Sequence, residues 1–170
     1  MAAVSEFRRD VLVSIRPFYA SRILDGRKSV ELRRRFPEFN MVGGTALIYS
    51  SSPVSAVVGC ARITDVCKLP VSEIWKRHGV AACISRQDFD AYFADVKHGF
   101  AIILGSIKEL KREVKAIDLE AQFGIVPPQS YRYVTRECVE LLNDGRFQTS
   151  RRHKRRDRSG GPSTSPSVAR

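Results

Sequence analysis

The sequence predicts an α+β fold, a small mixed and partly open β-barrel with short helices covering its ends. Five or six short stretches rich in β-branched residues recur along the chain, and segments with apolar residues three and four apart lie between them. The two kinds do not alternate with the regularity of a doubly wound sheet, which leaves the small barrel as the better solution. At 170 residues, 43% hydrophobic and 28% charged, the chain has the length and composition to bury one core without disulfides or metals.

Val11 to Ile15 reads as the first strand. Pro17 then stands where a helix favours its first residue and Gly26 where one stops, with Ala20, Ile23 and Leu24 on the buried face. Ser29 to Leu32 alternates polar and apolar as a half-buried strand does, and Thr45 to Tyr49 and Val54 to Val66 are rich in β-branched residues. Ser50-Ser51-Ser52-Pro53 is the turn between those two, and Gly59 marks a bulge where a barrel bends. Pro70 to His78 reads as a short helix with Val71, Ile74 and Trp75 inward, ended by Gly79. Ser85 caps the next, where Phe89, Tyr92, Phe93 and Val96 keep the period. Phe100 to Leu104, extending to Ile107, is a strong strand and Glu113 to Ile117 a weaker one before Pro127-Pro128 breaks the chain. Thr135 caps a last helix with Cys138, Leu141 and Leu142 inward and Gly145 at its end.

The net charge of +11 divides unevenly at Ser150. Seven basic residues and one acid follow it, giving +6 for the tail and +5 for the body, so the body is moderately basic. Beyond this point Arg, Ser, Gly and Pro displace the aromatic and branched apolar residues, the composition of a mobile segment. The divisions expected are an N-terminal extension over 1–10, one folded domain over 11–147 and a disordered basic tail over 148–170. Cys60, Cys67, Cys83 and Cys138 show neither metal-ligand spacing nor a disulfide pattern, so reduced thiols in a cytoplasmic protein are expected, with no metal and no cofactor. No apolar run reaches the roughly 18 residues of a membrane span, and residues 1–10 lack a signal peptide's apolar stretch. His78 and His98 have no second ligand or acid-base partner at useful spacing, and neither is read as catalytic.

The densest chemistry is Gly26-Arg27-Lys28-Ser29-Val30-Glu31-Leu32-Arg33-Arg34-Arg35, which leaves a helix and enters a strand. Strand alternation sends Ser29, Glu31 and Arg33 to one face and Lys28, Val30, Leu32 and Arg34 to the other. Arg supplies a bidentate fork and Lys a mobile charge, the equipment for a polyanion, although a charged edge strand also deters aggregation. The hydroxyls of Ser50, Ser51 and Ser52 suit a phosphate or a base edge, as well as simply closing a turn. Tyr49, Trp75, Tyr131 and Tyr133 are stacking candidates. Trp75 reads as core, while Tyr131 and Tyr133, following the Pro-Pro break near Arg132, make a partly exposed aromatic and basic patch.

The same residues resemble the ASCH family of the PUA-like superfamily. Its pattern of strand, short helix ending in Gly-x-Lys, and strand carrying Glu-x-Arg matches Val11 to Ile15, Gly26-Arg27-Lys28 and Glu31-Leu32-Arg33. The resemblance continues through Ala46 to Pro53, Val58-Gly59, Phe100-Ala101-Ile102 and Pro127-Pro128-Gln129-Ser130, and covers roughly residues 11–134. It implies a PUA-like barrel with a cleft floored by the Gly-x-Lys turn, in a family regarded mostly as RNA-binding modules. One branch deacetylates N4-acetylcytidine with a Lys, a Thr three residues later and a downstream Glu, and another member is reported to cut single-stranded RNA. Here the Lys matches Lys28, the Thr falls on Glu31, and His78 to Ile84 contains no acid, a departure that counts against the deacetylase.

The function expected is an RNA-binding module with Lys28, Glu31, Arg33, Arg34, Tyr49, Ser50, Ser51, Ser52, Gln129, Ser130, Tyr131 and Arg132 around a basic cleft. The alternative is a hydrolase of RNA or of a modified nucleoside such as N4-acetylcytidine, with Lys28 and Glu31 as its catalytic candidates. An RNA or nucleotide-like ligand is the expected partner. An adaptor that binds another protein through the two middle helices is a third class, and no membrane is expected.

Overall fold

The structure is a computed structural model that describes residues 8–146. The expected basic tail and most of the N-terminal extension lie outside the described residues. Along the chain run β1 (Asp10–Ile15), α1 (Pro17–Leu24), β2 (Val30–Arg33), β3 (Thr45–Ser50), β4 (Ala56–Pro70), α2 (Val71–His78), α3 (Arg86–Tyr92), β5 (His98–Lys115), α4 (Ala116–Phe123), β6 (Tyr131–Val134) and α5 (Arg136–Asn143). The strands form one six-stranded sheet in the order β2-β5-β4-β3-β1-β6. Only β1 and β3 pair in parallel.

The curl of this sheet comes from β4 and β5, which are 15 and 18 residues long and would span far more than the domain if straight. Their ladder slips at Val57/Gly59, Cys60/Arg62 and Ile63/Asp65, and each slip adds twist and bend. Gly59 sits at the first slip as the sequence indicates, because nothing larger fits. A Cβ there would lie 2.4 Å from Leu24 Cδ2 and 2.8 Å from the Lys108 carbonyl oxygen, the second of which is backbone and has nowhere to retreat. Gly59→Ala is therefore expected to destabilise the protein by about 1–3 kcal/mol, the usual cost of overpacking, read as a lower denaturant midpoint at unchanged slope.

Alternation along the strands sorts the side chains into three cores. Val11, Val13, Ile15, Ala46, Ile48, Ile63, Phe100 and Ile102 fill the inside of the curl, together with Ala20 and Ile23 of α1. Leu12, Leu47, Val57, Leu110 and Val114 face outward under α4 and α5. Val30, Leu32 and Ala101 face outward at the other end, under Ile74 of α2 and Phe89 of α3. The caps anticipated from sequence are present: Ser85 Oγ accepts from the Asp88 amide and Thr135 Oγ1 from the Cys138 amide.

Two elements differ from expectation. Glu113 to Ile117 is not a separate strand: β5 continues without a break to Lys115, and Ile117 lies on α4 with its side chain 70% exposed. The β-branched pair Val114 and Ile117 masked a helix whose own stop signal is Gly124 at φ 61°. Tyr131–Val134 is an edge strand, paired antiparallel with β1.

Cys138 and Cys60 belong to the core beneath α4 and α5, and no disulfide forms among the described cysteines. Burial pushes the Cys138 thiol from about 9 up to about 11, with Glu137 adding to it. Below about 9 both folded and unfolded chains hold this proton. Between about 9 and 11 only the unfolded chain releases it, so the unfolded state binds fewer protons and stability falls as pH rises. Denaturant midpoints measured from pH 8 to 11 are expected to decline over that window, and Cys138→Ala to flatten the decline.

Candidate functional site

The sheet does not close, and the gap between its edges is where the chemistry gathers. Because Val30 and Leu32 face outward, Glu31 and Arg33 of β2 are turned inward to the mouth of the curl. Arg33 reaches across the opening: its Nη2 donates to the Ser14 carbonyl of β1 at 2.7 Å, and its Nη1 lies 3.3 Å from Ser130 Oγ and 3.4 Å from the Ser130 carbonyl just before β6. A side-chain fork thus ties the two edges where a backbone ladder is missing. Ser14 Oγ, donating to the Pro128 carbonyl at 2.5 Å, holds the same loop.

Glu31 is the hub of this mouth. Its Oε1 is 3.0 Å from Arg33 Nη2 and its Oε2 is 3.2 Å from Lys28 Nζ, with all three side chains largely buried. Lys28 Nζ also donates to the carbonyls of Val30 at 2.6 Å and Ala82 at 2.9 Å, so its three protons have three acceptors. Strand alternation separated Lys28 from Glu31, and the structure corrects this. The chain turns at Gly26 with φ 78°, the Lys28 amide returns to the Arg22 carbonyl, and β2 begins only at Val30. Lys28 is therefore outside the strand and free of its alternation.

Above this floor lies an open cleft of about 1440 Å³. Its walls carry Arg16, Arg34, Arg35 and Lys97, all exposed, so with Lys28 and Arg33 six cations face three carboxylates, Glu31, Asp88 and Asp95. Three tyrosines line it, Tyr131 and two on the helices. Tyr19 of α1 has Lys28 Nζ 5.2 Å from its ring centre, and Tyr92 of α3 packs edge-on to Phe93 with its hydroxyl 3.4 Å from the Leu32 carbonyl. Burial raises both phenols above their ordinary range. Asp88 and Glu31 add to the rise at Tyr19, while at Tyr92 Arg33 opposes it and Glu31 adds to it, so both rings remain neutral donors at physiological pH.

Of the twelve residues expected around the cleft, Lys28, Glu31, Arg33, Arg34, Ser51, Gln129, Ser130 and Tyr131 line it. Four do not. Tyr49 is 7% exposed and points outward into the core under α4 and α5, because strand alternation sets it with Leu47 on the face opposite Ala46 and Ile48, which fill the inside of the curl. Ser50 is buried at 3%, as the last residue of β3. Ser52 is exposed in the turn, and Arg132 donates to the Val126 carbonyl away from the cleft. Trp75 packs against Phe89 with ring centres 5.0 Å apart, as its helical spacing indicates. Tyr133 is 43% exposed outside the cleft, with the Arg9 guanidinium 4.7 Å from its ring centre. Sequence reasoning missed Tyr19, Tyr92, Arg16 and Lys97. Tyr92 was visible only as one apolar position of α3, and no sequence signal joins residues so far apart.

A family model described as the ASCH domain matches residues 13–128, from within β1 to the loop that Arg33 secures. The chain belongs to the ASCH domain family. Among curated proteins it is similar to an ASCH domain-containing ribonuclease of Zymomonas mobilis, 30% identical over 136 residues, covering 79% of this chain and 90% of the relative. A crystal structure of ASCH from the same organism superposes with a TM-score of 0.73 at 28% identity, covering 79% of this chain and 94% of that one. A serine-to-alanine variant of that protein superposes at 0.75 and 27%, with 82% and 97% covered. The N-terminal domain of Staphylothermus marinus McrB, at TM-score 0.55 and 14% identity, shares the fold. Among the described residues no cluster of His, Cys, Asp or Glu is arranged to hold a metal ion, and no helix is long and apolar enough to cross a membrane.

Proposed function

We propose that this ASCH domain binds RNA as an unpaired strand, laid across the cleft between the sheet edges. The observation that carries this reading is the excess of cations at the cleft, six against three carboxylates, with the four at its walls exposed. Arg16, Arg34, Arg35 and Lys97 would meet phosphates, while Ser51, Gln129 and Ser130 supply hydrogen-bonding groups and Tyr19 and Tyr92 supply ring faces. The cleft exceeds the roughly 300–1,000 Å³ of an ordinary small-ligand site, which favours a stretch of strand over a lone nucleoside. Lys28 and Arg33, already paired, would shape the floor and contribute field without being the main phosphate contacts. A reducing, cytoplasmic setting fits the unpaired cysteines.

Fluorescence anisotropy with a labelled single-stranded RNA tests this. Four phosphate contacts correspond to a slope of about −2.8 in log affinity against log salt, hence about 50-fold weaker binding at 200 mM than at 50 mM. Absence of binding at 50 mM, or an affinity indifferent to salt, overturns the reading.

A second reading, cleavage of RNA, is favoured by the name of the Zymomonas relative. Neither His78 nor His98 lines the cleft, so an acid-base pair would have to come from other groups. Lys28, whose ammonium protons are all engaged, is poorly placed to act as a nucleophile, which also argues against deacetylation of a cytidine through it. A labelled-RNA cleavage assay decides: product that accumulates in proportion to enzyme and time establishes turnover, and its absence leaves the binder.

A further inference from the structure

We infer that Glu31 makes the cleft selective for guanine. This rests on the RNA-binding reading and says which base the site prefers. A carboxylate at the floor of a cleft for a polyanion is out of place electrostatically unless it meets a donor. Glu31 is paired with Lys28 and Arg33, yet each of its oxygens has only one of these partners, at 3.2 and 3.0 Å. A carboxylate accepts about four hydrogen bonds, so one acceptor position remains on each oxygen, and the side chain is 12% exposed where it lines the cleft.

Two neighbouring acceptor positions on one carboxylate match two neighbouring N–H donors. On the Watson–Crick edge of the four RNA bases, guanine alone has that pair, N1–H beside the N2 amino group. Cytosine and adenine set an amino group beside a bare ring nitrogen, which would face the second oxygen as acceptor to acceptor. Uracil sets one N–H between two carbonyl oxygens. Unpaired bases in RNA sites are commonly read on this edge while stacked on an aromatic ring. Tyr19 and Tyr92 line the same cleft, close enough to Glu31 that its charge raises both phenols.

The test uses the full chain and calorimetric titration with the 5′-monophosphates of guanosine, inosine, adenosine, cytidine and uridine. Inosine is guanosine without the N2 amino group, so it removes one donor without touching the protein. Guanosine monophosphate is expected to bind at least about tenfold tighter than each of the others, inosine monophosphate included. Equal binding of inosine and guanosine, or a preference for cytidine, adenosine or uridine, overturns the inference. Glu31→Gln is expected to abolish the preference, and if that variant fails to fold the inosine comparison decides alone. A uridine-only oligonucleotide and the same strand with one guanine, titrated in parallel at 50 mM salt, separate the two readings. Tight, salt-sensitive binding of both with equal affinity removes guanine selectivity and leaves RNA binding standing, whereas binding of neither removes both.

Discussion

Glu31→Gln is expected to lower the unfolding free energy by about 3–5 kcal/mol, and with it the melting temperature by about 10 °C for a domain of this size. The substitution keeps the shape and removes the charge. Lys28 and Arg33, 3% and 7% exposed, would then be two buried cations with no counter-ion between them, while their remaining hydrogen bonds hold them in place. Removing one partner of a buried ionic cluster is costly for that reason, even where the intact cluster adds little net stability. The contrast is Asp90→Asn, which breaks the Arg86–Asp90 pair on the surface of α3, where both side chains are more than half exposed. Less than about 0.5 kcal/mol is expected there. Thermal and denaturant unfolding of the two variants side by side checks the claim, and equal small losses would show that the cluster is solvated and not the keystone of the mouth.

Reversing both Arg34 and Lys97 to Glu is expected to weaken binding of single-stranded RNA on the order of 100-fold at low salt and to make the salt slope shallower by about 1.4, two phosphate contacts at about 0.7 each. Both residues are exposed at the cleft wall, and the hydrogen bond from Arg34 Nη2 to the Ala94 carbonyl, at 3.3 Å, is long. Stability should therefore stay within about 0.5 kcal/mol of wild type. Lys76→Glu with Arg77→Glu on α2, outside the cleft, serves as the control for the same change in net charge. A control as damaging as the double reversal would mean that binding follows total charge and not this surface.

Local signals accounted for most of the helices and strands because each is short-range. Pro17 at the head of α1, Gly59 at the bend of β4 and the hydroxyl caps at Ser85 and Thr135 act over a few residues, and all were legible. Helix α4 was not, since the pair Val114 and Ile117 carries a strand's composition across the junction where β5 becomes helix. The length of β5 depends on β4 lying beside it through three register slips, a pairing no local window contains. Tyr49 failed as a stacking candidate because the outer face it shares with Leu47 is covered by α4 and α5, which come from segments far along the chain.

Sequence by itself determined the ASCH resemblance, the α+β curl, and eight of the cleft residues from Lys28 to Tyr131, because motif spacing and strand periodicity are properties of neighbouring residues. Tertiary structure decided what those residues do to one another. The turn at Gly26 brings Lys28 back to Glu31, and the curl carries Arg33 to Ser14 and Ser130. These contacts join segments up to 97 residues apart, and charge pairing falls off over a few ångströms of space without regard to distance along the chain.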